Sequence, residues 1–431
     1  MNRRLTRRVA GALKAGIDRL PLARVPEPRQ AINRRWSLRQ LLAVTLAGLV
    51  AGCHNLAQVE ALTAEMSTAC RRLLGIGRRV ADTTLRDLLV RLDPIGLRNL
   101  LAQQIRQTHR SHALDPVGLP FGAVAMDGKG TAIDSWEAGF AQRQVHGGSA
   151  KGASGLVRTF TCSLMSSLVP VCLDAAPIPP ETNEDGCFAG ILDRLVDLYG
   201  AIDLFRLIVA DAGSCSLANA SHVRDKCLHY LFRLNDKQPT LFTEAQRCLQ
   251  HLSDSTALAS TSEAVRGAIE DRRIWVTTEM AGFLEWTHLV TVIRVQRSRT
   301  GSLDPKNDFV HDRYFMTSLR PDALTTKQWL HLIRNYWAAV ENGAHNILDT
   351  AFQEDGRPWI TGHDQGMLNV LLLRRIALNL VGLFRGRTLR GEEQRATPWT
   401  TIIRWFRNTL IAATPDLLEE LRPRRIRTAD C

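Results

Sequence analysis

Phe121-Gly122-Ala123-Val124-Ala125-Met126-Asp127-Gly128-Lys129 decides how the chain is read. Six residues of small and apolar character, FGAVAM, end abruptly in Asp-Gly-Lys. That is the pattern of a buried strand that stops at a sheet edge and turns. A second stretch repeats it. Phe205–Ala210, FRLIVA, is a buried strand followed at once by Asp211-Ala212-Gly213. If the two strands are neighbours in one sheet, their carboxylates meet at its edge. Two carboxylates held that close repel one another unless a cation lies between them. Mg²⁺ suits such a place, because it takes oxygen ligands and keeps several waters. Two ions about 4 Å apart can activate water and stabilise a leaving oxygen in phosphodiester chemistry. The other reading of each Asp is a loop-capping residue, which strand ends commonly carry.

Outward from this pair the chain alternates. Leu156–Leu164 and Ser167–Leu173 read as strands joined by a tight turn, and the proline-rich Pro177–Pro180 ends the second. Glu184–Tyr199 reads as an amphipathic helix with Phe188, Ile191, Leu192, Leu195 and Leu198 on one face. His229–Leu234 is a strand leading into Asn235-Asp236-Lys237-Gln238. Arg273–Glu279, His288–Gln296 and Arg313–Leu319 read as strands rich in β-branched and aromatic residues. Thr326 opens a long helix to about Asp349, and Gly366–Leu383 is a final apolar helix. Residues 131–154, polar and rich in Gly, Ser and Gln, are expected to form a loop. Residues 251–270 are expected to be a loop or weak helix. Glu341, on the long helix, is the candidate for a third acid.

Upstream, 37–110 reads as helices. Ser37-Leu38-Arg39-Gln40 and Thr84-Leu85-Arg86-Asp87 are capping-box-like. Such helices could form a helix-turn-helix DNA reader or simply a bundle. The longest apolar run, Leu41–Cys53, has 13 residues, short of the roughly 20 a spanning helix needs. It starts too deep for an ordinary signal peptide, so a buried helix and no membrane association are expected. Nine Cys with no CxxC pair give neither a zinc module nor a disulfide framework. Reduced thiols in a cytoplasmic protein fit this usage.

The 431 residues carry 55 Lys+Arg against 43 Asp+Glu, and only 7 of the cations are Lys. The surplus is at the ends: +9 over residues 1–40, +6 over 371–431 and −3 between. Codon bias could supply Arg in place of Lys, but it does not place the charge. Basic ends around a slightly acidic centre suggest contact with a phosphate polymer. The composition, 45% hydrophobic and 23% charged, excludes a disordered chain.

Several of these stretches resemble one family. Ala125–Lys129 is similar to the I-D-G-K strand end of the DDE transposases of bacterial insertion sequences, particularly the H-repeat-associated group, with Met126 in place of Ile. Ala210-Asp211-Ala212 resembles their second acidic strand end. Leu234–Gln238 resembles their L-K-x-N-Q turn with the polar order changed, and Arg313–Leu319 their R-Y-x-x-x-S-L strand. The longest match, Ile333–Asp355, is similar to R-x-H-W-x-x-E-N-x-x-H-x-x-x-D-x-x-F-x-E-D, and Arg374–Leu380 to the helix that follows. Together the matches span about 120–385 in order. The chain departs in having Tyr336 where the family has His, one extra residue before Glu341, and Leu348 at the Lys position of the Tyr-Arg-Glu-Lys signature. Asp349 and Glu354 are therefore alternative third acids.

The resemblance implies an α/β protein with a ribonuclease H-like mixed sheet and flanking helices. Its expected layout is a basic arm at 1–36, a helical DNA-binding domain at 37–115, a catalytic core at 120–250 and 322–385, a β-rich insertion at 251–321 and a basic tail at 386–431. Asp127, Asp211 and Glu341 would be its catalytic and metal-binding acids, holding two Mg²⁺ or Mn²⁺ ions. Lys129, Lys237, Arg334 and Tyr336 would contact DNA, with Asn342 and His345 supporting the acids. An aromatic of the insertion, Trp275 or Trp286, could stack on a flipped base or pack in the core. The implied activity is cutting of element ends and joining of the 3′-hydroxyl to target DNA. Its partners are double-stranded DNA, as terminal inverted repeats and target, and a second copy of the chain or more in a synaptic complex. A DNA-binding relative without activity and a metal-dependent nuclease without strand transfer are the competing readings.

Overall fold

A computed structural model describes residues 2–133, 139, 141–145, 153–265, 267–302, 306 and 308–419. Side chains of 337–342 fall outside the described set, as do those of a few other positions within helices and strands.

The centre is one mixed sheet. β1 (Ala123–Ile133) is antiparallel to β3 (Ala153–Leu164), and β3 to β4 (Val171–Pro177). On its other side β1 runs parallel to β5 (Leu207–Ala210), and β5 parallel to β6 (His229–Leu234). The crossovers are helices α7 (Glu184–Tyr199), between β4 and β5, and α8 (Leu217–Asp225), between β5 and β6. The order β4-β3-β1-β5-β6, with a meander leading into parallel strands, is the ribonuclease H-like arrangement. Beyond β6 the sheet continues antiparallel through β10 (Phe309–Thr317), β9 (Thr291–Thr300), β8 (Ala268–Thr277) and β7 (Ala259–Val265).

Two expected loops are strands instead. β1 runs on to Ile133, and β2 (Ala141–Val145) pairs with the start of β3, inside the stretch expected to be irregular. Residues 259–265 and 268–270 are in β7 and β8, not a loop or helix. In both cases cross-strand pairing overrides polar composition, because a polar strand needs only a partner ladder and one covered face.

Alternation along β1 sorts the core. Val124 and Met126 face α7, α8 and α9 (Pro239–Leu249), while Ala123 and Ala125 face α10 (Thr326–Ala339) with its Trp329, Leu332 and Ile333. The helix does not stop after Ala339. It passes through a π-helical turn, Val340–His345, into α11 (Asn346–Thr350). A π-turn lets a helix take up one additional residue without ending.

The helical part comprises α1 (Arg3–Arg19), α2 (Leu38–Val50), α3 (Leu56–Glu65), α4 (Thr68–Leu74), α5 (Asp82–Arg91) and α6 (Pro94–Arg110), with α12 (Asp364–Thr388), the short α13 (Glu392–Arg395), α14 (Trp399–Ala412) and α15 (Pro415–Glu419) from the far end of the chain. Ser37 and Gln40 form the expected capping box of α2, whose apolar residues are all buried. The second expected box is displaced: α5 begins at Asp82, so Thr84 lies within the helix. α12 is apolar and long enough to span a membrane, but 89% of its most apolar window is buried within this fold. It binds the helical part to the sheet. Asn379 accepts from the Cys172 N–H at 2.8 Å and donates to the Cys172 carbonyl at 2.9 Å and to Gln104 at 3.0 Å.

The two basic ends are folded over most of their length and come together. α1 buries Val9, Ala10, Leu13 and Ile17 and packs on α12 and α14. Residues 420–431, with four of the C-terminal Arg, lie outside the described residues.

Candidate metal centre

The register places Asp127 and Asp211 side by side, though Asp127 does not end its strand as expected: it lies within β1, while Asp211 directly follows β5. Met126 pairs with Ala210 across the parallel β1–β5 ladder, so Asp127 and Asp211 follow at one level. A third acid joins them that the sequence reading passed over. Glu184 is the first residue of α7, after the N-cap Asn183, whose side chain accepts from Gly186 N–H at 3.0 Å. Carboxylate oxygens of Asp127, Glu184 and Asp211 all lie within 4.8 Å of one another, each residue half-buried.

Two glycines make this possible. A β-carbon at Gly128 would collide with Glu184 Oε1, and one at Gly213 would stand 2.6 Å from Glu184 Oε2 and 2.9 Å from Asp211 Oδ1. Asp127-Gly128 within β1 and Asp211-Ala212-Gly213 after β5 therefore leave the volume that the Glu184 carboxylate fills. Gly213 N–H also donates to Asp211 Oδ1 at 2.7 Å and fixes that carboxylate. The signal was available: an acid opening the helix between the two acidic strands, and a glycine just beyond each Asp. What one sequence does not give is the distance from the helix start to the strand ends.

Burial, and then the negative charge of Asp211, hold the Glu184 carboxyl above its ordinary pKa, partly offset by Lys237 and Arg158. The cations near Glu184 are thus too few to overcome its burial and the charge of Asp211. The donors are hard oxygens from three elements, a set that suits Mg²⁺ or Mn²⁺. The acidic cluster can thus hold a divalent ion.

The segment carrying Glu341 packs on β1 and β3, though the Glu341 and Asn342 side chains are among those not described. Its neighbour His345 is buried, with Nδ1 3.7 Å from Asp127 Oδ2. Desolvation, helped by Arg375 and Lys129, depresses its pKa to about 3. His345 is therefore neutral beside Asp127.

The four expected DNA contacts divide. Lys237 is exposed in the turn after β6, close enough to act on Glu184. Arg334 is exposed on α10 and pairs with Glu263 of β7. Lys129 is buried, and its ammonium pairs with Asp349 at 2.7 Å and with Asp355; in this conformation it faces acids rather than solvent. Tyr336 is buried too. Its hydroxyl donates to the Ala210 carbonyl at 3.3 Å and its ring meets Phe315 edge-on, so it steadies the residue before Asp211. The alternative third acids are also committed. Glu354 is fully buried against Arg375, and Asp349 holds Lys129. Trp275 and Trp286 are buried in the core, as the packing reading of them required.

No family model matches the chain, and no curated protein does. Among solved structures it is similar to a piggyBac transposase synaptic complex with hairpin DNA, seen by cryo-EM, at 10% identity and a TM-score of 0.40. The overlap covers 99% of this chain and 83% of that one. A similarity at that level adds nothing to the functional reading, which rests on the residues.

Proposed function

We propose that this protein is a DNA transposase of the insertion-sequence type, similar to the H-repeat-associated group. It would cut element ends and join the freed 3′-hydroxyl to target DNA. The observation that carries the reading is the meeting of Asp127, Glu184 and Asp211 at the edge of a ribonuclease H-like sheet. Glu341, whose backbone segment packs on β1, is the candidate fourth acid. One or two divalent ions held there would supply an activated water and charge stabilisation at the scissile phosphate.

The chain's own residues do the rest. Asp127 and Asp211 hold fixed positions because a parallel ladder sets one and a backbone N–H holds the other. Tyr336 and neutral His345 brace them without adding charge. Lys237 offers a cation at the rim where a phosphate would approach. The helical part would bind the terminal repeats, with a pair of chains bridging two ends in the cytoplasm.

The test is Mg²⁺-dependent cleavage of duplex DNA carrying the element's terminal inverted repeats, with a supercoiled target present. Nicked ends and joined products are expected from the parent and neither from Asp127→Ala. Failure of the parent to cut, or equal cutting by the variant, overturns the reading in favour of a DNA-binding relative. Cutting without joined products replaces it with a nuclease.

A further inference from the structure

The strand register shows a step in the sheet edge. β5 and β6 end at the level of Asp211 and Leu234. β10 pairs with β6 only from Tyr314 onward, so Phe309–Arg313 run past that edge, and β9 and β8 rise with them. At roughly 3.3 Å per residue, the level of His311, Arg297 and Arg272 is about 13 Å beyond the acids, and that of Phe309 and Arg299 about 20 Å. On its other side β1 also continues, to Ile133. The acids therefore lie on the floor of a notch with a raised strand wall on each side.

The β7–β10 wall has two different faces. Cross-strand partners share a face, which puts Arg272, Arg297 and Arg299 together with Phe309 and His311. This is the α10 side, where Arg334 reaches Glu263, and by alternation it is also the side of Asp127. Four guanidiniums here meet two carboxylates. Glu270, almost wholly buried, accepts from Arg297 at 2.8 Å and from Arg272 at 3.2 Å, with Arg299 at 3.9 Å. Arg272 Nη1 and Arg299 Nε are buried and have no hydrogen-bond acceptor. Arg297 lies over the Phe309 ring at 5.1 Å, and Phe309 stacks on His311 at 4.8 Å. Desolvation and then the nearby charges of Arg297 and Arg334 lower the Arg272 pKa, which shows how closely the cations are crowded. Four guanidiniums against two carboxylates leave a net charge of +2 on this face, and the Arg297 and Arg334 side chains, 43% and 55% exposed, present it to a phosphate backbone.

We infer that the face of the β7–β10 wall bearing Arg272, Arg297, Arg299 and Arg334 binds the phosphate backbone of double-stranded DNA flanking the bond in the notch. This rests on the reading of the acids as a DNA-processing site. Phe309 and His311 shape and stiffen the wall, and the guanidiniums supply affinity without sequence preference.

The experiment is binding of a labelled duplex of arbitrary sequence, read by anisotropy over a KCl series, with the full chain. Arg297→Gln/Arg299→Gln is expected to make the slope of log K against log salt shallower by roughly 1.8, and Arg334→Gln by roughly 0.9. Arg273→Gln, on the same sheet but the opposite face, keeps the wild-type slope. If the double variant does not fold, Arg334→Gln, an exposed change, decides. Folded variants with the wild-type slope, or a wild type that does not bind duplex, overturn the inference. Cleavage is scored on the same preparations. A wild type that cuts while its variants bind unchanged removes only this surface. One that never cuts, yet binds through these arginines, removes only the transposase reading.

Discussion

Two acidic clusters lie two residues apart on β1, and they are solved in opposite ways. Around Lys129, Asp349, Glu354 and Asp355 are gathered with Arg374 and Arg375. Burial alone would raise the Glu354 carboxyl, yet Arg375, Lys129 and Arg374 hold it down to about 2. Around Asp127, the acids Glu184 and Asp211 come together with a neutral His345, and Glu184 is pushed up. The number of acids is similar; the source of the compensating charge is not. In the first cluster the chain supplies its own cations and builds a structural anchor between β1, β3 and α12. In the second, Lys237 and Arg158 only partly offset the rise at Glu184, and the three carboxylates lie close enough together to hold a divalent ion.

The largest break in this comparison should come from the second cluster. Asp127→Ala or Asp211→Ala removes a ligand and is expected to lower strand cleavage by about 10³-fold or more, worth several kcal/mol, with urea unfolding little changed. In the anchor the effects invert. Glu354→Gln leaves Arg375 buried without its partner and should cost about 3–5 kcal/mol of stability by urea unfolding. The same pair sets an acid limit. Its folded pKa lies below the ordinary 4.5, so its contribution is full above that value and fades as pH falls towards about 2. Unfolding midpoints measured across that window should fall for the parent and stay flatter for Glu354→Gln.

Smaller effects sharpen the contrast. Glu184 has a raised pKa, so its ionised form opposes folding at neutral pH. Glu184→Gln should therefore melt higher than the parent without metal, and gain less from added Mg²⁺; calorimetry with and without the ion checks both. Gly128→Ala displaces the flexible end of Glu184 and should weaken Mn²⁺ affinity by titration while leaving the fold intact. Smallest is Tyr336→Phe. It loses one hydrogen bond to the Ala210 carbonyl, about 1 kcal/mol, with a modest fall in cleavage.

The sequence determined what depends on neighbours along the chain. Apolar runs located β5, β6 and the first part of β1, the helical period marked α7 to its ends, and Ser37 with Gln40 set the start of α2. Asp211 follows the end of β5 as read, whereas Asp127, expected to end its strand, lies inside β1, which continues to Ile133 because β3 pairs with it throughout. Tertiary structure decided what depends on partners far apart. Polar β2 and β7 became strands because a ladder was waiting for them. Glu184 joined two acids 57 and 27 residues away because α7 begins where two glycines leave room. Lys129 and Tyr336 turned inward because buried acids and a strand-end carbonyl lay within reach. Charge compensation is a property of surroundings in three dimensions, so two similar sets of acids along one chain became an anchor in one place and a cluster able to hold a divalent ion in the other.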